Sequence, residues 1–152
     1  MAGKNLQPSN DFLLDTGIIM RYLRGTRQAA DLLDFLEETG KISVSVITYL
    51  EILILCQPHE EDITRLFFER VPPLVVSQEV AYKAASLIKK YPSVFGKKIE
   101  RRTPDALIAA TAWQQQATLV TLNTRQFAIV PIAELTVQAI EQDAEDWVRL
   151  LK

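Results

Sequence analysis

One cysteine and one histidine are all the thiol and imidazole side chains in 152 residues. Cys56 has no second cysteine for an internal disulfide, and with His59 it falls short of the four ligands of a structural zinc site. A Cys56/His59 dyad at helical spacing is opposed by Pro58 between the two residues, and Cys56 is expected in the core. No uninterrupted apolar stretch approaches the ~20 residues of a membrane span, and residues 1–10 are too polar for a secretory signal. A cytoplasmic protein that does not enter the membrane is the expectation. Internal repeats and low-complexity tracts are missing too. Charge of one sign is also scarce: 17 Lys and Arg against 19 Asp and Glu leave −2, so no global field announces a nucleic-acid partner.

What is present is apolar material enough for one core. The chain is 48% hydrophobic, which at this length predicts a single globular domain. Short apolar runs at residues 10–14, 41–45, 74–76, 118–122 and 135–137 read as strands. Between them, helical spacing of apolar residues predicts helices over 29–36, 46–56, 60–70, 78–90 and 104–116, and residues 91–102, with Pro92 and Gly96, are expected to form the longest loop. Strands alternating with helices predict an α/β fold, a mostly parallel central sheet flanked by helices. The core is expected over about residues 10–138. Ile140, Ala144, Trp147 and Leu151 predict a closing amphipathic helix over 139–152 that packs on its own domain.

Three acids stand in apolar frames. Asp15 follows Phe12-Leu13-Leu14, Glu51 lies inside Val46-Ile47-Thr48-Tyr49-Leu50-Glu51-Ile52-Leu53, and Asp105 opens Pro104-Asp105-Ala106-Leu107-Ile108-Ala109-Ala110. An ionised carboxylate there loses hydration worth several kcal/mol unless a cation or donors replace the water. Each has an ordinary explanation when taken singly: Asp15 as a helix N-cap, Glu51 as a side chain reaching solvent, Asp105 as a first-turn charge beside the helix dipole. Thr103 as N-cap and Pro104 at the first helical position would put Asp105 in that first turn. Taken together at one sheet edge, the three would demand a shared cation, and hard oxygen ligands select Mg²⁺ or Mn²⁺. Just before Asp105, Lys97, Lys98, Arg101 and Arg102 form a basic run against Glu100 alone. A basic lip beside an acidic, metal-loaded site suits a polyanionic substrate, although such runs are often only solvated surface.

Four blocks in order and spacing resemble the PIN-domain ribonucleases, and among them the VapC-type toxins. They are Leu13-Leu14-Asp15-Thr16, then Ser45-Val46-Ile47-Thr48-Tyr49-Leu50-Glu51-Ile52, then Pro104-Asp105-Ala106-Leu107-Ile108-Ala109-Ala110-Thr111-Ala112, and last Ala117-Thr118-Leu119-Val120-Thr121-Leu122-Asn123-Thr124-Arg125-Gln126-Phe127. The resemblance covers about residues 12–137. It implies a metal-dependent endoribonuclease that hydrolyses RNA phosphodiesters, with Asp15, Asp105 and Glu51 as catalytic metal ligands and Thr16, Thr121 and Asn123 in support. Water activated by the metal would attack the phosphodiester, a route that needs no histidine. The resemblance further implies a cognate antitoxin and a homodimer, and with RNA as substrate the basic run Lys97, Lys98, Arg101 and Arg102 is expected to lie along it.

The chain departs from the family where many members carry a fourth acid, at Asn123 or Gln126. Amides add no charge, so one tight metal is expected and a second only with substrate phosphate. The same departure feeds the alternative, a PIN-fold nucleic-acid or protein interaction module with a lapsed site. Leu14-Asp15-Thr16-Gly17 also looks like an aspartic-protease motif, but those proteins are all-β. An aspartyl phosphotransferase would want a second Asp two residues on, where this chain has Gly17.

Overall fold

The computed structural model describes residues 10–96 and 99–151, without the side chains of residues 99–101. In chain order the elements are β1 (Asp11–Leu14), α1 (Thr16–Leu23), α2 (Arg27–Thr39), β2 (Lys41–Ser43), α3 (Val46–Leu55), a 3₁₀ turn Pro58–Glu60 and α4 (Glu61–Arg70). There follow α5 (Gln78–Lys90), α6 (Pro92–Phe95), α7 (Ile99–Gln115), β3 (Thr118–Thr121), α8 (Thr124–Phe127), β4 (Thr136–Ala139) and a 3₁₀ turn Arg149–Leu151.

The four strands form one parallel sheet in the order β2-β1-β3-β4. Its central strands are buried on both faces, which is why they read as continuous apolar runs without polar alternation. Neighbouring residues serve opposite cores. Leu14 and Val120 point into a core built on α1, α2 and the aromatics Phe67 and Phe68 of α4. Leu13 and Leu119 point into a second core with α5, α6 and the alanines of α7. Ala106, Ala109, Ala110 and Ala112 are all fully buried, so α7 lies close against the sheet and carries Asp105 with it.

Local signals set most boundaries. Ser45 caps α3, its Oγ accepting from the Ile47 N–H at 3.1 Å, and Ser77 caps α5 through the Val80 N–H. Gly25, at φ +80°, ends α1 in the left-handed conformation that glycine adopts without strain. At Gly40 space decides instead: a Cβ there would stand 1.5 Å from the Asn10 carbonyl oxygen, where α2 turns into β2 beside the start of β1.

Four expectations are corrected. Residues 74–76 do not form a strand; Leu74 makes one parallel bridge to Ser45, exchanging hydrogen bonds of 2.8 Å with Val44 and Val46. Pro72 and Pro73 just before it have no N–H with which to extend a ladder. Residues 92–95 and 99–102 are helical instead of forming a loop, because Pro92 suits the first turn of α6 and α7 already includes Ile99. Pro104 therefore lies inside α7, and Asp105 sits beyond the first turn, where the helix dipole helps it little. Finally, residues 139–151 are not an amphipathic helix. Ile140 extends the β3–β4 ladder, its N–H donating to the Thr121 carbonyl at 2.8 Å, and the chain then runs irregularly to the last 3₁₀ turn. The expected apolar residues are nonetheless buried on the first core, Ile140 and Trp147 almost completely.

Helix α3, apolar nearly all round, is not enclosed. Leu50, Leu53, Ile54 and Leu55 are about half exposed or more. Tyr49, Leu53, Cys56 and Phe68 line a groove between α3 and α4. Cys56 is only part-buried there, its Sγ 3.6 Å from Thr64 Oγ1, and it has no hydrogen bond to His59.

Candidate active site at the carboxyl edge of the sheet

Asp15 is the first residue past β1 and still belongs to the ladder, its N–H donating to the Val120 carbonyl at 3.0 Å. It is also the N-cap of α1, with Oδ1 accepting from the Thr16 N–H at 2.7 Å. The ordinary capping role and a site role thus coexist in one side chain. Oδ2 accepts from Thr121 Oγ1 at 2.7 Å, and that hydroxyl accepts in turn from the Asn123 N–H at 3.1 Å. Thr121 is fully buried at the end of β3, so its hydroxyl has one orientation.

Thr16 ties Glu51 to Asp15. Its Oγ1 lies 2.8 Å from Glu51 Oε1 and 3.1 Å from Thr48 Oγ1. One proton cannot serve both, and the carboxylate, able only to accept, takes it. Thr48, fully buried and one turn before Glu51 on α3, supplies the remaining contact. Asp105 arrives from α7 and accepts at Oδ2 from Gln126 Nε2 at 3.2 Å. Glu51 Oε2 and Asp105 Oδ1 have no hydrogen bond among the described residues.

Electrostatically the three acids form one group. Burial raises the pKa of Asp15 above the ordinary aspartate value, against the pull of Thr121 and Thr16. Glu51 is raised by burial, then by the charges of Asp15 and Asp105, while Thr16 opposes. Asp105 is raised by burial and by Asp15, with Gln126 opposing. None of the three forms an ion pair with a described basic residue. Among the described residues no group of three acidic, histidine or cysteine side chains is placed so that it could by itself hold a metal ion. The cluster is thus a set of hard oxygen donors, short of positive charge and with oxygens to spare, which suits a divalent cation completed by water or phosphate oxygens.

Of the other expected site residues, Thr16 and Thr121 touch the carboxylates directly. Asn123 does so through Gln126 and the Thr121 hydroxyl. Arg102 lies one turn before Asp105 on α7, with its Nε buried and without a partner among the described residues. Lys97 and Lys98 lie outside the described residues, as does the Arg101 side chain. Sequence reasoning missed Thr48, whose signal was a hydroxyl three residues before Glu51 in an apolar helix. It also missed that Gln126 donates to Asp105; a cap at Asn123 with an amide three residues on was the only local hint.

Residues 12–132 match the PIN domain. Ribonuclease VapC19 of Mycobacterium tuberculosis is 34% identical over 120 residues, 78% of this chain and 94% of that protein. Among solved structures, a toxin–antitoxin complex from Klebsiella pneumoniae has 29% identity and a TM-score of 0.64, covering 82% of this chain and 98% of that one. The VapBC2 complex of Rickettsia felis, bound to a DNA fragment from its promoter, is similar in fold alone: TM-score 0.70 at 20% identity, over 85% of this chain and 98% of that one. Four parallel strands, an acid at the end of β1, a second on α3 and a third on α7 are joined by these matches over four-fifths of the sequence, and the chain belongs to the PIN domain family.

Proposed function

We propose that this protein is a Mg²⁺- or Mn²⁺-dependent endoribonuclease and the toxin of a toxin–antitoxin pair. The observation that carries the reading is the cluster of Asp15, Glu51 and Asp105, three desolvated carboxylates with no described cation to balance them, Asp15 and Glu51 joined through Thr16 and Asp105 coupled to both by charge. Stability alone would be better served by neutral residues there. A bound divalent ion would lower the pKa of an attacking water and stabilise charge developing on phosphate oxygens. The chain's own part is orientation. Thr121 holds Asp15 Oδ2, Thr16 holds Glu51 Oε1, and the spare oxygens of Glu51 and Asp105 remain for the ion or for a water that must lose a proton. Arg102, whose buried Nε has no partner among the described residues, lies one turn from Asp105 and is suited to RNA phosphate, and its sequence neighbours Lys97, Lys98 and Arg101 add positive charge.

An antitoxin partner is supported by the toxin–antitoxin complexes to which the chain is similar, and by the exposed apolar side chains of α3 and α4. Leu50, Leu53 and Ile54 of α3 and Ile63 and Leu66 of α4 are each about half exposed or more. A homodimer is part of the same reading, and sedimentation showing only monomer at micromolar concentration would remove it. Among the described residues no helix is long and apolar enough to cross a membrane, and a cytoplasmic site of action is proposed with the rest.

The second reading, an interaction module with a lapsed site, draws on the amides at Asn123 and Gln126. RNA cleavage by the wild type, Asp15→Asn and Asp105→Asn in Mg²⁺ or Mn²⁺ separates the two. The nuclease reading expects a loss of at least about 100-fold in both variants, about 2.7 kcal/mol of transition-state stabilisation. Equal cleavage by all three proteins would mark a contaminant and leave the module.

A further inference from the structure

The hydrogen-bond chain that ends on Asp105 admits one consistent set of amide orientations. The backbone N–H of Gln126 donates to Asn123 Oδ1 at 3.3 Å, which turns Asn123 Nδ2 toward Gln126 Oε1, 2.6 Å away. Gln126 therefore spends its carbonyl on Asn123 and turns its NH₂ the other way. There Nε2 lies 3.0 Å from the Val94 carbonyl and 3.2 Å from Asp105 Oδ2. The reverse orientation would set acceptor against acceptor, because neither a peptide carbonyl nor a carboxylate can donate. Both amide protons are thus occupied, one on α6 and one on the acid. The anchor on α6 is firm, since Val94 and Phe95 are 4% and 3% exposed in the second core.

We propose that Gln126 is a positioning residue: its amide holds Asp105 Oδ2, leaves Oδ1 free for the cation, and is not itself a metal ligand. This rests on the metal-dependent reading above. A carboxylate at position 126 would meet the Val94 carbonyl and Asp105 as a third acceptor. The amide gives up a negative charge and fixes the orientation of Asp105 instead.

The test is a double-mutant cycle. Mn²⁺ affinity is measured by electron paramagnetic resonance of the free ion for the wild type, Gln126→Ala, Asp105→Asn and the double variant, where circular dichroism shows each folded. RNA cleavage is followed in parallel. Removing the support of a ligating group costs about 10–100-fold in metal affinity. Gln126→Ala is expected to weaken Mn²⁺ binding by about tenfold, at the low end of that range, and to lower kcat with KM for RNA unchanged. In the Asp105→Asn background the same change is expected to add nothing, because Gln126 acts through Asp105. An equal further loss there would make Gln126 a direct ligand and overturn the proposal, as would unchanged affinity in the single variant. A cycle that behaves as expected in a protein that cuts no RNA supports the positioning role and removes the nuclease reading. A wild type that binds no Mn²⁺ overturns both. Gln126→Met, which keeps the length and loses the amide, replaces the alanine variant if that one does not fold.

Discussion

Asp105 is the residue whose neutral form is most simply accommodated, because an asparagine could turn its carbonyl to Gln126 and its NH₂ to the unbonded side. Burial and Asp15 hold the Asp105 pKa above the ordinary 3.8, so near and above that value the metal-free folded protein keeps a proton that the unfolded chain has lost. The folded state binding more protons means that stability falls as pH rises. The contribution is favourable in acid and is lost as pH climbs through the raised folded-state value. In EDTA at pH 7, Asp105→Asn is therefore expected to melt at a higher temperature than the wild type. At pH 4 the gap should close, and Mn²⁺ should raise the wild type more than the variant. A lower melting temperature for the variant at pH 7 would mean that the carboxylate is not under electrostatic load.

All three acids were legible as acids in the wrong place, but their contacts were not. Glu51 stood out because a charge inside an apolar helix needs a partner. That the partner would be Thr16, 35 residues away, is a matter of how α1 meets α3. Asp105 was assigned to a helix N-terminus because proline is commonest there, whereas α7 starts five residues earlier. The basic strip is a matter of composition, and its one described guanidinium, Arg102, owes its burial to packing that no local pattern shows.

Among the elements, caps and breakers carried the most information. Ser45, Ser77 and Gly25 set helix ends where their chemistry predicts. The turn from α2 into β2 depends on something less visible, the absence of a side chain at Gly40. Its backbone is extended, so alanine would suffer no conformational strain there, only collision with the Asn10 carbonyl. Gly40→Ala is expected to part β1 from β2 at their start and cost about 1–3 kcal/mol, as over-packing does. Urea unfolding would register this as a lower midpoint, and an unchanged midpoint would mean that residue 10 simply moves aside. The exposure of α3 has a related cause: its composition reports how apolar it is, and only its neighbours determine how much of it they cover.

At the level of the whole molecule, the C-terminal segment is a strap over the first core and not a helix. Trp147 is 1% exposed, and its Nε1 is buried without a hydrogen bond among the described residues. Trp147→Ala should cost about 3–5 kcal/mol through the cavity it leaves. Trp147→Phe should cost clearly less, because it leaves a smaller void and removes a buried donor that has no partner. Thermal melts of the two variants would check this, and equal losses would show that the ring is not filling space. The strap also meets the site through the bond from the Ile140 N–H to the Thr121 carbonyl, on the residue whose hydroxyl holds Asp15.

Apolar period, capping and chain breakers act over a few residues, so the order of amino acids alone carried the α/β class, the parallel sheet, most element boundaries and the three acids that burial makes conspicuous. Contacts between distant residues carried the rest: the Thr16–Glu51 and Thr121–Asp15 bonds, the Gln126 amide turned toward Asp105, the exposure of α3 and the irregular course of residues 139–151. These depend on which surfaces meet when two cores close on opposite faces of one sheet. No window of sequence contains both partners of such a meeting.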